Sequence, residues 1–145
     1  MAEYSLLFTM AQDKSGLDVD NDSLIRIAYD WFQQHQDDSL YAKCLYYMGK
    51  YYMLNDSTEQ AISLLTQSSE KSSKIGDLKT ESMALEKLSK VYQVVEPEKS
   101  LVFSKKALET YARYQYATLK NRIYLNLNYS EALLACDITR TSVDV

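Results

Sequence analysis

Residues 42–68 read AKCLYYMGKYYMLNDSTEQAISLLTQS, and this stretch decides the fold. Two amphipathic segments are broken by Leu54-Asn55-Asp56-Ser57. In the first, Leu45, Met48 and Tyr52 recur at i, i+3 and i+7, one stripe of a helix. In the second, Ala61, Leu64, Leu65 and Ser68 do the same. Asp56 or Ser57 suits the N-cap of the second helix, and Gln60 stands three after Ser57, as in a capping box. Gly49, inside the first helix, costs about 1 kcal/mol against Ala. Its place is explained if the second helix lies directly against it. The stretch therefore predicts a helical hairpin.

Outward from the hairpin the chain continues in the same style. Residues 2–12 form a short apolar helix on which Leu6, Leu7, Met10 and Ala11 can share a face. Residues 13–23 are a polar loop, and Asp22 or Ser23 caps a helix to about Gln34. Leu24, Ile27, Ala28, Trp31 and Phe32 give it a broad apolar stripe. The hairpin's second helix runs to about Ile75, with Gly76 at the C′ position where a left-handed residue ends a helix. Residues 77–95 are the next helix. Pro97 opens another, to about Tyr114, because proline suits the first turn and disfavours helix in the residue before it. A last helix spans about 117–136, and the tail 137–145 carries no helical stripe.

The composition bounds the class. The chain has 145 residues, enough for one domain with a continuous core. It is 46% hydrophobic and 25% charged, with a formal net charge of −4, so no basic nucleic-acid footprint is read. With 3 Gly and 1 Pro, few tight turns are encoded. The 13 Tyr residues suit wide gaps between helices, with their hydroxyls wet. No apolar run reaches the roughly 18 residues of a membrane span. Met1-Ala2-Glu3-Tyr4 enters a helix without a basic leader, so no signal peptide is read, and the start reads as trimmed from a longer protein. Cys44 and Cys136 lie in apolar helical stretches and read as small buried hydrophobes.

The hairpin recurs. Leu45-x-x-Met48-Gly49-x-x-Tyr52 has a second copy in Leu85-x-x-Leu88-Ser89-x-x-Tyr92, 40 residues on. Ala61, Leu65 and Ser68 of the second helix match Ser100, Ser104 and Ala107 at an offset of 39, the intervening turn being one residue shorter. A third copy is then due 39 after Leu88, and Leu127 is there, with Tyr124 three before it. Asn128 and Glu131 replace the small residue and the tyrosine.

Leu45, Met48-Gly49, Tyr52, Ala61, Leu65 and Ser68 resemble the signature of the tetratricopeptide repeat (TPR) family. Ser73 stands where the family has its terminal proline, and the period exceeds the family's 34 residues. The resemblance implies an all-α, α-α superhelix (a TPR-like solenoid) of about three hairpins and about seven helices. It divides the chain into a degenerate first pair (1–36), the best repeat (39–76), a second repeat (77–115), the first helix of an incomplete third (117–136) and the tail. The opening SLLFTMAQDKSGLDVDNDSLIRIAYDWFQQH with the LYYMGKYY hairpin is similar to the TPR region of extracytoplasmic lipoproteins and sensor regulators of Bacteroides-type bacteria. That likeness implies a periplasmic or cell-envelope location and a docking or sensing fragment of a larger regulator; without it, the reading is cytoplasmic.

The family's groove positions, carried onto this chain, fall on Lys43, Tyr46, Tyr47 and Lys50, then Glu86, Lys90 and Gln93. The resemblance thus implies a non-catalytic scaffold that holds a peptide or protein segment in a concave groove. The Lys/Asn clamp by which some TPR domains hold a C-terminal carboxylate is not reproduced, with Tyr46 and Met83 in its places. The last helix is apolar nearly all round, and too few residues follow to supply its second helix, whereas terminal repeats normally turn a polar face outward. Ile123, Leu127 and Leu134 are therefore expected to be covered by a second copy or by the rest of the native protein. Under this alternative the chain is an oligomerisation element.

No catalytic, cofactor-binding or metal-ligating set is read. A calcium loop starting at Asp18 would need Gly and Glu at its sixth and twelfth places, which hold Ser23 and Tyr29. The acidic run over the first 38 residues reads as a solvated face. His35, the one histidine, lies among glutamines at a helix end and reads as a surface residue. Trp31 and Phe32 read as core.

Overall fold

Seven α-helices and no strand make up the described residues of the computed structural model, which are 1–17, 21–35 and 37–143, with side chains to 141. The chain is all-α. It falls into two compact units, Met1–Asp77 and Leu78–Val145. The first holds α1 (Ala2–Lys14), α2 (Ser23–His35), α3 (Asp38–Leu54) and α4 (Thr58–Ile75). The second holds α5 (Leu78–Val95), α6 (Pro97–Ala112) and α7 (Leu119–Val143). Asp18 and Asp20, on which a calcium loop would depend, lie outside the described residues.

In the first unit α3 and α4 form the expected antiparallel hairpin. Ala42, Leu45, Ala61 and Leu65 are fully buried between them. The Ser68 hydroxyl donates to the Ala42 carbonyl at 2.8 Å, so a buried polar group is satisfied across the pair. Gly49 meets α4 directly, as its sequence context required. Asp37 caps α3 by accepting from the Leu40 N–H at 3.0 Å. The capping box expected at α4 does not form. Ser57 is the N-cap, but its hydroxyl makes no cap bond and instead donates to the Asn55 carbonyl at 3.5 Å. Asp56 has taken up a left-handed φ of 57° to make the tight turn, and that leaves Ser57 turned back into the loop. Gly76 ends α4 in the left-handed region, with Asp77 N–H bonded to the Ser72 carbonyl at 2.9 Å.

The two leading helices bury different residues from those expected. On α1 the buried face is Ala2, Ser5, Leu6 and Thr9, not Leu6, Leu7, Met10 and Ala11. Small side chains let α1 lie close, and the Ser5 and Thr9 hydroxyls donate to the Met1 and Ser5 carbonyls at 3.0 and 2.9 Å, so burying them costs little. On α2 the buried set is Ile25, Ala28 and Phe32; Ile27 and Trp31 are exposed. Trp31 stacks on His35 at 3.8 Å on the surface, which corrects its assignment to the core.

In the second unit α5 and α6 repeat the hairpin, with Leu85, Ala107 and Tyr111 joining Leu125 of α7 in one buried cluster. Ser89 donates to the Ser100 carbonyl at 3.0 Å, and Tyr92 stacks on Phe103. Pro97 opens α6 as expected. α7 packs on both members of the hairpin and runs to Val143, past the expected end at Cys136. The residues 138–143 have weak helix propensity, but tertiary contacts hold them: Arg140 pairs with Glu98 at 3.1 Å, and the Cys136 thiol donates to the Pro97 carbonyl at 3.0 Å.

Candidate interaction surface

The side chains expected to line a groove are engaged within their own units. Lys43 pairs with Asp77 at 3.0 Å, and Lys50 pairs with Asp13 at the end of α1. Tyr46 and Tyr47 are buried, and their rings meet edge to face at 4.9 Å. Burial first, and Asp13 second, push the Tyr47 hydroxyl well above the usual phenol range, so it stays protonated. On α5, Glu86 is buried and ion-paired to Lys87 at 3.0 Å and to Lys90 at 3.3 Å. Lys90 donates to the Tyr124 hydroxyl at 2.6 Å and lies 4.8 Å from the centre of that ring. Burial works to lower the Lys90 pKa, but Tyr124 and Glu86 outweigh it and the ammonium is held above its ordinary value. Gln93 is half-buried.

A shallow cleft of about 460 Å³ opens among α2, α3 and α4, with Arg26, Tyr52, Glu59 and Ser63 on its wall and Met48 and Leu64 beneath. Arg26 is tied to Asp22 and lies 3.3 Å from the Tyr52 hydroxyl. These bonds, Tyr52 first, raise its pKa above the ordinary guanidinium value. Nothing in the spacing of Arg26 and Tyr52 along the chain announced this pairing, because it depends on how α2 crosses α3.

Much of the exposed apolar surface described in the second unit lies on α7. Leu125, Asn128, Ala132 and Cys136 form its buried face. On the opposite side, at roughly 100° per residue, lie Leu119, Ile123, Leu127, Leu134 and Ile138, with the exposed Ser130 and Glu131 between Leu127 and Leu134. Ile123 is 53% exposed, Leu127 58% and Leu134 60%. By contrast, Leu88, which the sequence repeat aligns with Leu127, is 1% exposed. The sequence expectation named Ile123, Leu127 and Leu134, and the structure places all three on this one bare face. It missed Leu119 and Ile138, which lie outside the copied pattern. It also missed α1, where Tyr4, Leu7, Phe8 and Ala11 are exposed on the side opposite the buried face, with Tyr4 and Phe8 stacked.

No helix among the described residues is long and apolar enough to cross a membrane. In comparisons with protein-family models, curated proteins and solved structures, nothing matches this chain.

Proposed function

We propose that the chain is a protein–protein interaction scaffold built of TPR-like helical hairpins, and that α7 is its docking surface. The occupant is an amphipathic helix laid antiparallel along Leu119–Ile138, as α6 lies along α5 and α4 along α3. The observation that carries this reading is the set of exposed apolar residues Leu119, Ile123, Leu127, Leu134 and Ile138 on the side of α7 opposite its buried face. A helix apolar on both sides is normally buried on both sides. Exposed leucines in a row also mark a surface that binds. Binding at Lys43 and Lys50, or at Glu86 and Lys90, ranks second, because a ligand would first have to displace Asp77 and Asp13 in the one case and the Glu86–Lys90 pair in the other. Under either reading the scaffold serves as the docking part of a larger assembly.

A photo-crosslinking residue placed at position 127 of the full chain tests the proposal in the native host, with the same residue at exposed position 105 as control. Adducts at 127, mapped to an amphipathic helical segment and lost in Leu134→Glu, are expected. Adducts no more frequent at 127 than at 105 would overturn it.

A further inference from the structure

We infer that the helix docking on α7 is α7 of a second copy of this chain, laid antiparallel about a two-fold axis. The inference rests on α7 being a docking surface and names its partner. The spacing of the bare face selects that partner. Leu119, Ile123, Leu127, Ser130, Leu134 and Ile138 are exposed on one side of α7. The steps between them are 4, 4, 3, 4 and 4 residues, the same from either end. A face that pairs with itself about a two-fold axis has to match its own reverse, and this one does. Centred between Asn128 and Tyr129, an antiparallel copy sets Leu119 against Ile138, Ile123 against Leu134 and Leu127 against Ser130, each contact made twice. Ser130 is the one small residue of the row, and it leaves a gap between Leu127 and Leu134. Leu127 of the other copy fills that gap. The Ser130 hydroxyl already donates to the Asn126 carbonyl of its own helix at 3.0 Å, so covering it strands no donor.

The charges on α7 fix the direction. Lys120, Arg122, Glu131 and Asp137 are exposed, and none of them is ion-paired among the described residues. They cancel in sum but not in order: both bases precede the centre and both acids follow it. An antiparallel copy sets the basic end of each helix beside the acidic end of the other, with Asp137 level with Lys120. A parallel copy sets like charges together, which disfavours it. Arg140, the remaining charge on α7, is held by Glu98 of its own α6.

The bare apolar residues on α1 and α2 are too short a run to be the occupant. They extend from Tyr4 to Ala11 on α1 and from Ile27 to Trp31 on α2. That is about 10 and 6 Å of helix, against about 28 Å from Leu119 to Ile138. Either would leave more than half of the face on α7 uncovered.

Sedimentation velocity and oxidative cross-linking of the full chain test this. The wild type is expected to reach a dimer as concentration rises and to stop there, because a contact between identical patches closes on itself. Leu127→Glu is expected to lose the dimer, with a thermal melt as folding control and Leu134→Glu as the replacement should it melt early. The double variant Lys120→Glu, Arg122→Glu and the single variant Asp137→Lys are each expected to self-associate at least about threefold more weakly than wild type, and an equal mixture of the two is expected to recover the dimer. For the register, Ile123→Cys and Leu134→Cys are oxidised separately and mixed, and cross-linked dimer is expected in the mixture alone. A wild type monomeric at all concentrations would overturn the self-pairing, while adducts at position 127 on another chain would keep α7 as the docking surface. Dimers undiminished in Leu127→Glu would place the contact between copies off α7. Charge variants that associate as wild type does, Ile123→Cys cross-linking alone as well as in the mixture, or species beyond the dimer would each overturn the antiparallel two-fold.

Discussion

Leu65 of α4 fills the space that a side chain at Gly49 of α3 would need. A Cβ placed on Gly49 would stand 2.7 Å from Leu65 Cγ and 3.2 Å from Leu65 N, so neither a rotamer change nor a small shift of the side chain clears it. The second hairpin solves the same crossing differently. Ser89 stands in the place of Gly49, and Ser104 in the place of Leu65, so the side chain added on the first helix is matched by one lost from the second. Both serines are buried, with the Ser89 hydroxyl bonded to Ser100 and the Ser104 hydroxyl donating to the Leu101 carbonyl at 2.9 Å.

Gly49→Ala is expected to destabilise the first unit. The helix gains about 1 kcal/mol in propensity, but overpacking of a tight site costs about 1–3 kcal/mol, and backbone on one side of the contact puts this case toward the upper end. Chemical denaturation reads the balance. Leu65→Ala alone leaves a cavity costing about 2–5 kcal/mol. In that background the side-chain contacts are gone and only the 3.2 Å approach to the backbone N remains, so the penalty of Gly49→Ala is expected to shrink, which a double-mutant cycle measures as a coupling of the two residues. Additive effects would show that the two helices are free to move apart.

Ser89→Ala is expected to cost about 1 kcal/mol, the net worth of one buried hydrogen bond. Ser100→Ala removes only the hydroxyl partner of the same group, 3.1 Å away, and leaves the carbonyl that Ser89 uses. It is therefore expected to cost less. Thermal melts of the two variants should rank in that order.

The hairpins were legible because their signal is local and repeated: Gly49, Gly76 and Pro97 each do what backbone sterics alone demand of them. The leading helices were less legible. Ser5 and Thr9 are buried because their hydroxyls turn back onto their own helix, and no hydrophobic pattern marks such a face. Trp31 was read as core, in one apolar stripe with Ile27 and Phe32, yet α2 turns Ile25 and Phe32 inward and leaves it outside. The bare stripe on α7 was legible in part, through Ile123, Leu127 and Leu134. The stripe on α1 was not, because the sequence reading put Leu7 and Ala11 on one face with Leu6, which is buried. The ion pairs that occupy Lys43 and Lys50 join residues more than thirty positions apart, beyond the reach of any local pattern.

Asn128→Leu is expected to stabilise the second unit. The Asn128 side chain is buried, and its Nδ2 has no hydrogen-bond partner among the described residues. Replacing an unsatisfied buried amide by an apolar group of the same branching removes a desolvation cost of about 1–3 kcal/mol, less whatever the oxygen gives up and the strain of fitting two bulkier methyl groups. A rise in Tm of about 3 °C is expected for a chain of this size. A fall would show that the amide is anchored through its oxygen.

Stability is expected to decline above about pH 9. Burial, with Asp37 adding to it, pushes the Cys44 thiol up to about 12 from an ordinary value of 9.0. Below pH 9 the thiol is protonated in both states and contributes no slope. Between about pH 9 and 12 the unfolded chain releases this proton while the folded chain holds it, so stability falls as pH rises, by up to about 1.4 kcal/mol per pH unit for one proton. Tyr41 and Tyr47, held above the usual phenol range chiefly by burial, add to the decline from about pH 10. Chemical denaturation at about pH 8, 9.5 and 10.5 measures the slope. Cys44→Ala is expected to delay its onset from about pH 9 to about pH 10, where the tyrosines begin to count. The same burial predicts that Cys44 resists alkylation at pH 8 in the folded chain and reacts at the rate of global or local opening. An onset unchanged in Cys44→Ala, or alkylation as fast as in denaturant, would place the thiol in contact with water.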